Sequence, residues 1–223
     1  MQSIIKQPLY LDDYHIDLIS LFDGSKSGHL GKWHYDRTGT ALWEKTCREA
    51  ISYKVCEDEI ALINTFKHEV MNEIKDSKAL IDIGAGHTDA IINKTGQFKE
   101  MLNIPYFAVD HIFVSNLPFN GEKIYADFMS EKLLPTPERS TLVLWGLTAG
   151  NLPNGLKDLP HFIRKLYKHS KGGKLIITID TERDVDKVSR MYNDLNHVMF
   201  SEYFIQSIGQ SDDVSGFNHN NWK

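Results

Sequence analysis

The sequence predicts a doubly wound α/β fold with a mostly parallel sheet, preceded by a helical cap. Short apolar runs carry the first part of that reading. Ala79 to Ile83, Tyr106 to Val109, Lys123 to Ala126, Thr141 to Trp145 and Lys174 to Ile179 alternate with stretches of helical character, the pattern of buried parallel strands joined by crossovers. A glycine turn carries the second: the first run ends in Gly84-Ala85-Gly86 and passes directly into a helix pattern. The cap follows from a change near Lys78. Upstream of it, Leu42, Trp43, Ile60, Ile63, Phe66, Val70 and Ile74 recur at helical spacing among many charges.

These observations divide the chain into a helical cap over 1–77 and an α/β domain over 78–223 with a short C-terminal extension. Within the second, Thr88 to Leu102 and Leu156 to Ser170 read as helices, the latter closed by Lys171, Gly172 and Gly173. Asp184 to Leu195 reads as another helix. In such a sheet a ligand belongs at the carboxyl ends of the strands, near the topological switch point.

Composition narrows the partners. With 223 residues, 41% apolar and 25% charged, the chain can bury a substantial core. Its net charge of −5 and scattered basic residues give none of the concentrated positive field that nucleic-acid binding needs. No segment reaches the roughly 18 apolar residues of a membrane span, and Met1 to Leu11 lacks the charged start and apolar core of a secretory leader, so a cytoplasmic protein is expected. Cys47 and Cys56 lie in a helical region without zinc-like spacing and read as reduced structural thiols. His29, His34 and His219 share no ligand spacing, so no metal is expected. The Asp12, Asp13, Asp17 group and the Glu57-Asp58-Glu59 run read as solvated faces or helix starts.

The candidate chemistry lies at the strand ends. Glycines at 84 and 86 let the backbone approach a ligand, and the helix start beyond them offers amides to a negative group, although a plain tight turn has the same glycines. A dinucleotide fingerprint needs a third glycine at 89, where Asp89 would repel a pyrophosphate, which disfavours NAD. S-adenosylmethionine (SAM) carries a carboxylate and no phosphate, and fits better. Roughly twenty residues on, Asp110 ends the second strand, where a carboxylate can accept two ribose hydroxyls or simply be solvated. Asp127 and Phe128 follow the third strand, the acid suited to an adenine amino group and the ring to packing beside the base. After the fourth strand, Gly146-Leu147-Thr148-Ala149-Gly150-Asn151 has the composition of a loop over a ligand. Asn151 suits a polar acceptor group, or a left-handed turn.

Taken in order, these segments resemble the histidine-specific SAM-dependent methyltransferases, a family that includes the ergothioneine-pathway histidine N-alpha-methyltransferases. Tyr35-Asp36-x-x-Gly39-x-x-Leu42-Trp43-Glu44 is similar to their N-terminal signature, and Tyr106-Phe107-Ala108-Val109-Asp110 to their second strand. Ala126-Asp127-Phe128, the Gly146 to Asn151 loop, Met191-Tyr192-Asn193-Asp194 and the tail Phe217 to Trp222 match further motifs. The sequence given stops directly after that tail, so it reads as C-terminally truncated relative to the family. Ser52 and Ala90 stand where the family has a tyrosine and a basic residue.

The resemblance implies a Rossmann-like class I SAM-methyltransferase fold and a cofactor site from Gly84, Gly86, His87, Asp110, Asp127, Phe128 and Gly146. His87 is expected beside the cofactor. It places Tyr35 and Asn151 in catalysis and Tyr35, Tyr53 and Asn151 at the acceptor, a small-molecule amine, with S-adenosylhomocysteine as product. Trp33, Tyr35, Trp43 and Tyr53 read either as walls of an acceptor pocket or as core. A degenerate SAM-binding subunit is the alternative reading, and a homodimer stays open.

Overall fold

The computed structural model describes residues 34–35, 37–100, 102–110, 117, 120–126, 134–146, 148 and 157–209. In chain order the elements are α1 (Arg37–Glu49), α2 (Val55–Thr65), α3 (Lys67–Ile74), β1 (Leu80–Ile83), α4 (Thr88–Asn93), a 3-10 turn (Thr95–Phe98), β2 (Tyr106–Asp110), β3 (Glu122–Tyr125), β4 (Thr141–Leu144), α5 (Leu159–Ser170), β5 (Lys174–Ile177), α6 (Val185–Tyr192) and α7 (Leu195–Gly209). Contacts group the described residues of Glu57–Asp180 into one compact unit and those of Tyr10–Cys56 and Thr181–Lys223 into a second.

The first unit is built on a parallel sheet in the order β3-β2-β1-β4-β5. The chain runs outward from β1 to β3 and then returns to the other side of β1, so the switch point falls between β1 and β4. The α/β expectation therefore holds, strand for strand. Side chains alternate across the pleat. Leu80, Tyr106, Ala108 and Val143 join Ile63, Ile74, Ile91 and Phe98 on one face, while Ile81, Ile83, Phe107, Val109, Leu142 and Leu144 join Phe162 and Leu166 on the other. Each fully buried large apolar side chain contributes about 1.5–3 kcal/mol, so both helical layers are held by the strands' own composition.

Helix α5 carries its buried residues Phe162, Leu166 and His169 on one stripe, and ends at Lys171 in the left-handed region (φ 50°), followed by Gly172. That is the stop the sequence marks. The helix expected over Thr88 to Leu102 is instead broken after Asn93. Lys94 leaves helical geometry (φ −107°, ψ −86°), and Thr95 turns inward to donate to Asp82 Oδ2 at 2.6 Å. A buried hydrogen bond thus overrides local helix periodicity.

In the second unit α1 packs against α7, with the Thr46 hydroxyl buried and within hydrogen-bonding distance of the carbonyls of Leu42 and Asn196. Gly39 is required by close approach, since a Cβ there would lie 1.6 Å from the His34 carbonyl oxygen. The cysteines correct the reduced-thiol expectation. The turn after α1 doubles the chain back, bringing the Cα atoms of Cys47 and Cys56 to 5.4 Å, and the two side chains form a disulfide.

The helix expected over Asp184 to Leu195 also splits. Asp184 caps α6 by accepting from the Asp186 and Lys187 amides, and α6 ends at Tyr192 because Asp194 caps the next helix. Asp194 Oδ1 accepts from the Asn196 amide at 3.1 Å, and its Oδ2 accepts from the amides of Ile51 and Ser52, both at 2.8 Å. The Ser52 amide, first among these donors, holds the carboxyl below the usual carboxylate range. The stabilisation is therefore complete above about pH 4 and fades as pH falls through the lowered folded value. Asp194→Ala should cost about 2 kcal/mol in urea unfolding at pH 7, and the difference from the unsubstituted chain should shrink in acid.

Candidate functional site

The glycine turn leaves β1 with Gly84 at φ 67° and Gly86 at φ 71°. A side chain at either would be strained, and a Cβ at Gly84 would also meet the Thr148 side chain at 2.8 Å. The Gly84 and Ala85 amides continue the sheet ladder by donating to the Val109 carbonyl. The Gly86 amide then donates to Asp110 Oδ2 at 2.8 Å. Two of the predicted cofactor positions, the ends of β1 and β2, are thus physically joined. Asp110 is 6% exposed, so its carboxylate braces the turn from within the fold.

His87 accepts from the Ala90 amide through Nδ1 at 3.3 Å, capping α4. That bond leaves the proton of a neutral ring on Nε2. Gly146 follows β4 at φ 72°, and its amide donates to a carboxylate oxygen of Glu59. Thr148, in the same segment, donates to the Trp145 carbonyl at 3.3 Å and lies against Gly84. Asp127, Phe128 and Asn151 lie outside the described residues, as do Trp33, His29, the Asp12, Asp13, Asp17 group and the tail motif with His219.

The acceptor-side candidates Tyr35 and Tyr53 belong to the second unit, where they stand around one indole. The Tyr35 ring meets Trp43 edge-on at 6.2 Å between centroids, and Trp43 meets Tyr53 edge-on at 5.7 Å. Phe200 packs against Trp43 at 5.2 Å, and His197 lies 4.9 Å from Tyr53 and 4.8 Å from Tyr192. Burial holds His197 below the usual imidazole range. Tyr53 is 3% exposed and packs with Ala50, Cys56 and Met191, whereas Tyr35 is only half-buried.

Beneath the glycine turn is a polar network the strand pattern conceals. Asp82 is 1% exposed and accepts from Thr95 Oγ1 and from the Tyr106 hydroxyl at 3.0 Å; Thr95 Oγ1 in turn accepts from the Trp145 indole at 2.9 Å. Burial pushes the Asp82 carboxyl up to about 6, against the opposing pull of those donors and Lys94. Its buried Oδ1 has no hydrogen-bond partner among the described residues, a natural seat for the proton. The signal was available: a carboxylate inside an apolar strand buried on both faces has to be answered by donors.

Glu57 and Asp58 stand in the first turn of α2, in keeping with the reading of Glu57-Asp58-Glu59 as a solvated face or helix start, and Glu59 alone corrects it. Glu57 and Asp58 are exposed, but Glu59 is 8% exposed, because Cys56, Glu59 and Ile63 form the buried stripe of α2. A charge at a stripe position is the clue that composition alone passes over.

The parallel α/β unit with its glycine turn braced by a carboxylate is Rossmann-like, a fold that takes ligands at the carboxyl ends of its strands. A sequence model of the histidine-specific, SAM-dependent methyltransferase family matches residues 29–223, and the chain belongs to that family. SAM is its cofactor. No curated protein matches the chain. No helix among the described residues is long and apolar enough to cross a membrane.

Asp82 makes a pH test. Its proton is held more tightly in the folded chain than in the unfolded, so its contribution is largest below about pH 4 and is lost as pH rises through about 6. The melting temperature should fall by roughly 5 °C across that window. Asp82→Asn, which keeps the acceptor for Thr95 and Tyr106, should flatten that slope in thermal scans.

Proposed function

We propose that the chain transfers a methyl group from SAM to an amine nitrogen of a small molecule, an amino acid resembling histidine or a natural-product intermediate. What supports the reading is the Gly86–Asp110 junction at the ends of β1 and β2 in a chain of this family. Bound SAM supplies an activated methyl on a sulfonium, with S-adenosylhomocysteine as the leaving product.

The residues present fit that group. Gly84 and Gly86 keep side chains out of its path, and Asp110 offers a carboxylate to the ribose hydroxyls from a buried, pre-positioned strand end. Gly146 and His87 flank the turn, and Asp127 and Phe128 take the adenine amino group and face. On the acceptor side Tyr35 takes the amine's hydrogen bond and Asn151 fixes the acceptor's polar end. Tyr53, behind Trp43, helps hold that wall in place. Transfer to nitrogen needs alignment above all, with the reacting atoms about 3–3.5 Å apart and the amine unprotonated.

Isothermal titration with S-adenosylhomocysteine, repeated for Asp110→Ala, tests the cofactor half. Wild-type binding in the micromolar range should weaken about 10–100-fold, the loss expected for charge-assisted ribose hydrogen bonds. Methyl transfer to histidine and a panel of small amines tests the other half: Tyr35→Phe should lower kcat about tenfold with little change in cofactor affinity. Cofactor binding without transfer to any amine would instead make the chain a SAM-binding subunit.

A further inference from the structure

We infer that Glu59 is a positioning residue for the amino-acid end of the cofactor, acting through the backbone of Gly146. The inference rests on the reading above that SAM lies along the carboxyl ends of the strands.

The Glu59 carboxylate gathers three elements of the sheet unit. Its Oε1 accepts from the Gly146 amide just beyond β4 and from the Thr178 hydroxyl just beyond β5. Its Oε2 pairs with Lys94 Nζ at 2.6 Å, at the end of α4, the helix that begins on the glycine turn. Both charged side chains are largely shielded, at 7% and 15% exposure, so the carboxylate is held by donors rather than by water. The Thr178 amide also donates to the Leu144 carbonyl at 3.2 Å, which keeps the two strand ends in register around Glu59.

Strand order indicates which part of the cofactor this arrangement serves. Asp110 ends β2, and β4 lies on the far side of β1. Two strand spacings, about 10 Å, separate them. A ligand whose ribose sits on Asp110 and whose adenine extends toward β3 therefore sends its opposite end across the glycine turn toward β4. That end is the amino-acid tail. Gly146 follows the buried Trp145, the first residue beyond β4, and Thr148 two residues later lies against Gly84. Fixing the Gly146 amide thus fixes the loop start that meets the tail, and Glu59 does so without touching the ligand. Among the described residues, no other carboxylate accepts from that amide.

The test compares S-adenosylhomocysteine with 5′-methylthioadenosine, which keeps the nucleoside and lacks the amino-acid tail, on the full chain. Glu59→Gln retains an acceptor oxygen but loses the ion pair, and Thr178→Val removes one anchor of the carboxylate. Glu59→Gln should weaken S-adenosylhomocysteine binding about tenfold, and Thr178→Val about threefold, with methylthioadenosine affinity unchanged within twofold. Asp110→Ala, by contrast, should weaken both ligands. Should Glu59→Gln fail to fold, the Thr178→Val comparison decides alone. Equal or tighter S-adenosylhomocysteine binding by the variants, or equal weakening of both ligands, overturns the inference. Absence of S-adenosylhomocysteine binding by the wild-type chain removes the reading beneath it.

Discussion

The central strands of a parallel sheet covered by helices on both faces have no wet side, and every charge they carry must be answered from within the fold. That constraint organises the sheet unit. Asp82 is answered by Thr95 and Tyr106, with Trp145 donating to Thr95 in turn; Asp110 is answered by the Gly86 amide. Glu59, delivered by a helix rather than a strand, is answered by Gly146, Thr178 and Lys94. The same bonds that make these carboxylates tolerable in the interior fix the backbone at the ends of β1, β2, β4 and β5. Stability and the geometry of the strand ends are thus set by one group of contacts.

Much of the sheet was legible because its strands are short apolar runs of the right length, separated by crossovers. The glycine turn was legible because a positive-φ position next to a packed side chain admits only glycine, as at Gly84 beside Thr148. Helix limits were less so. Nothing local in Thr88 to Leu102 announces that Thr95 will be drawn inward by Asp82, and nothing in Asn193-Asp194 says that the carboxylate belongs to the following helix. The first break is decided by a partner on the preceding strand, and the second by a local cap on a carboxylate that also accepts from the distant amides of Ile51 and Ser52. The disulfide was missed for a related reason: spacing alone does not say that the chain reverses between Cys47 and Cys56.

The motif residues also divide by what holds them. Gly39 is fixed by the backbone of His34, and Asp194 by three amides and a helix start, so their presence in the motifs has a structural cause independent of any ligand. Tyr35 is held by its ring, which is half-buried against Trp43 and Phe200.

The composition of the second unit has a consequence for how the chain is made. Its two segments, ending at Cys56 and beginning again at Thr181, enclose the whole sheet unit in sequence. On the ribosome α1 emerges long before α7, against which it packs. At about 5–20 residues per second the delay is on the order of ten seconds, during which the apolar stripe of α1 has no mate. Over that interval the amides of Ile51 and Ser52 must wait for Asp194 to be synthesised. All residues of the sheet unit are therefore synthesised before the helical unit has its second segment, and the face of α1 that receives α7 is among the last to be covered.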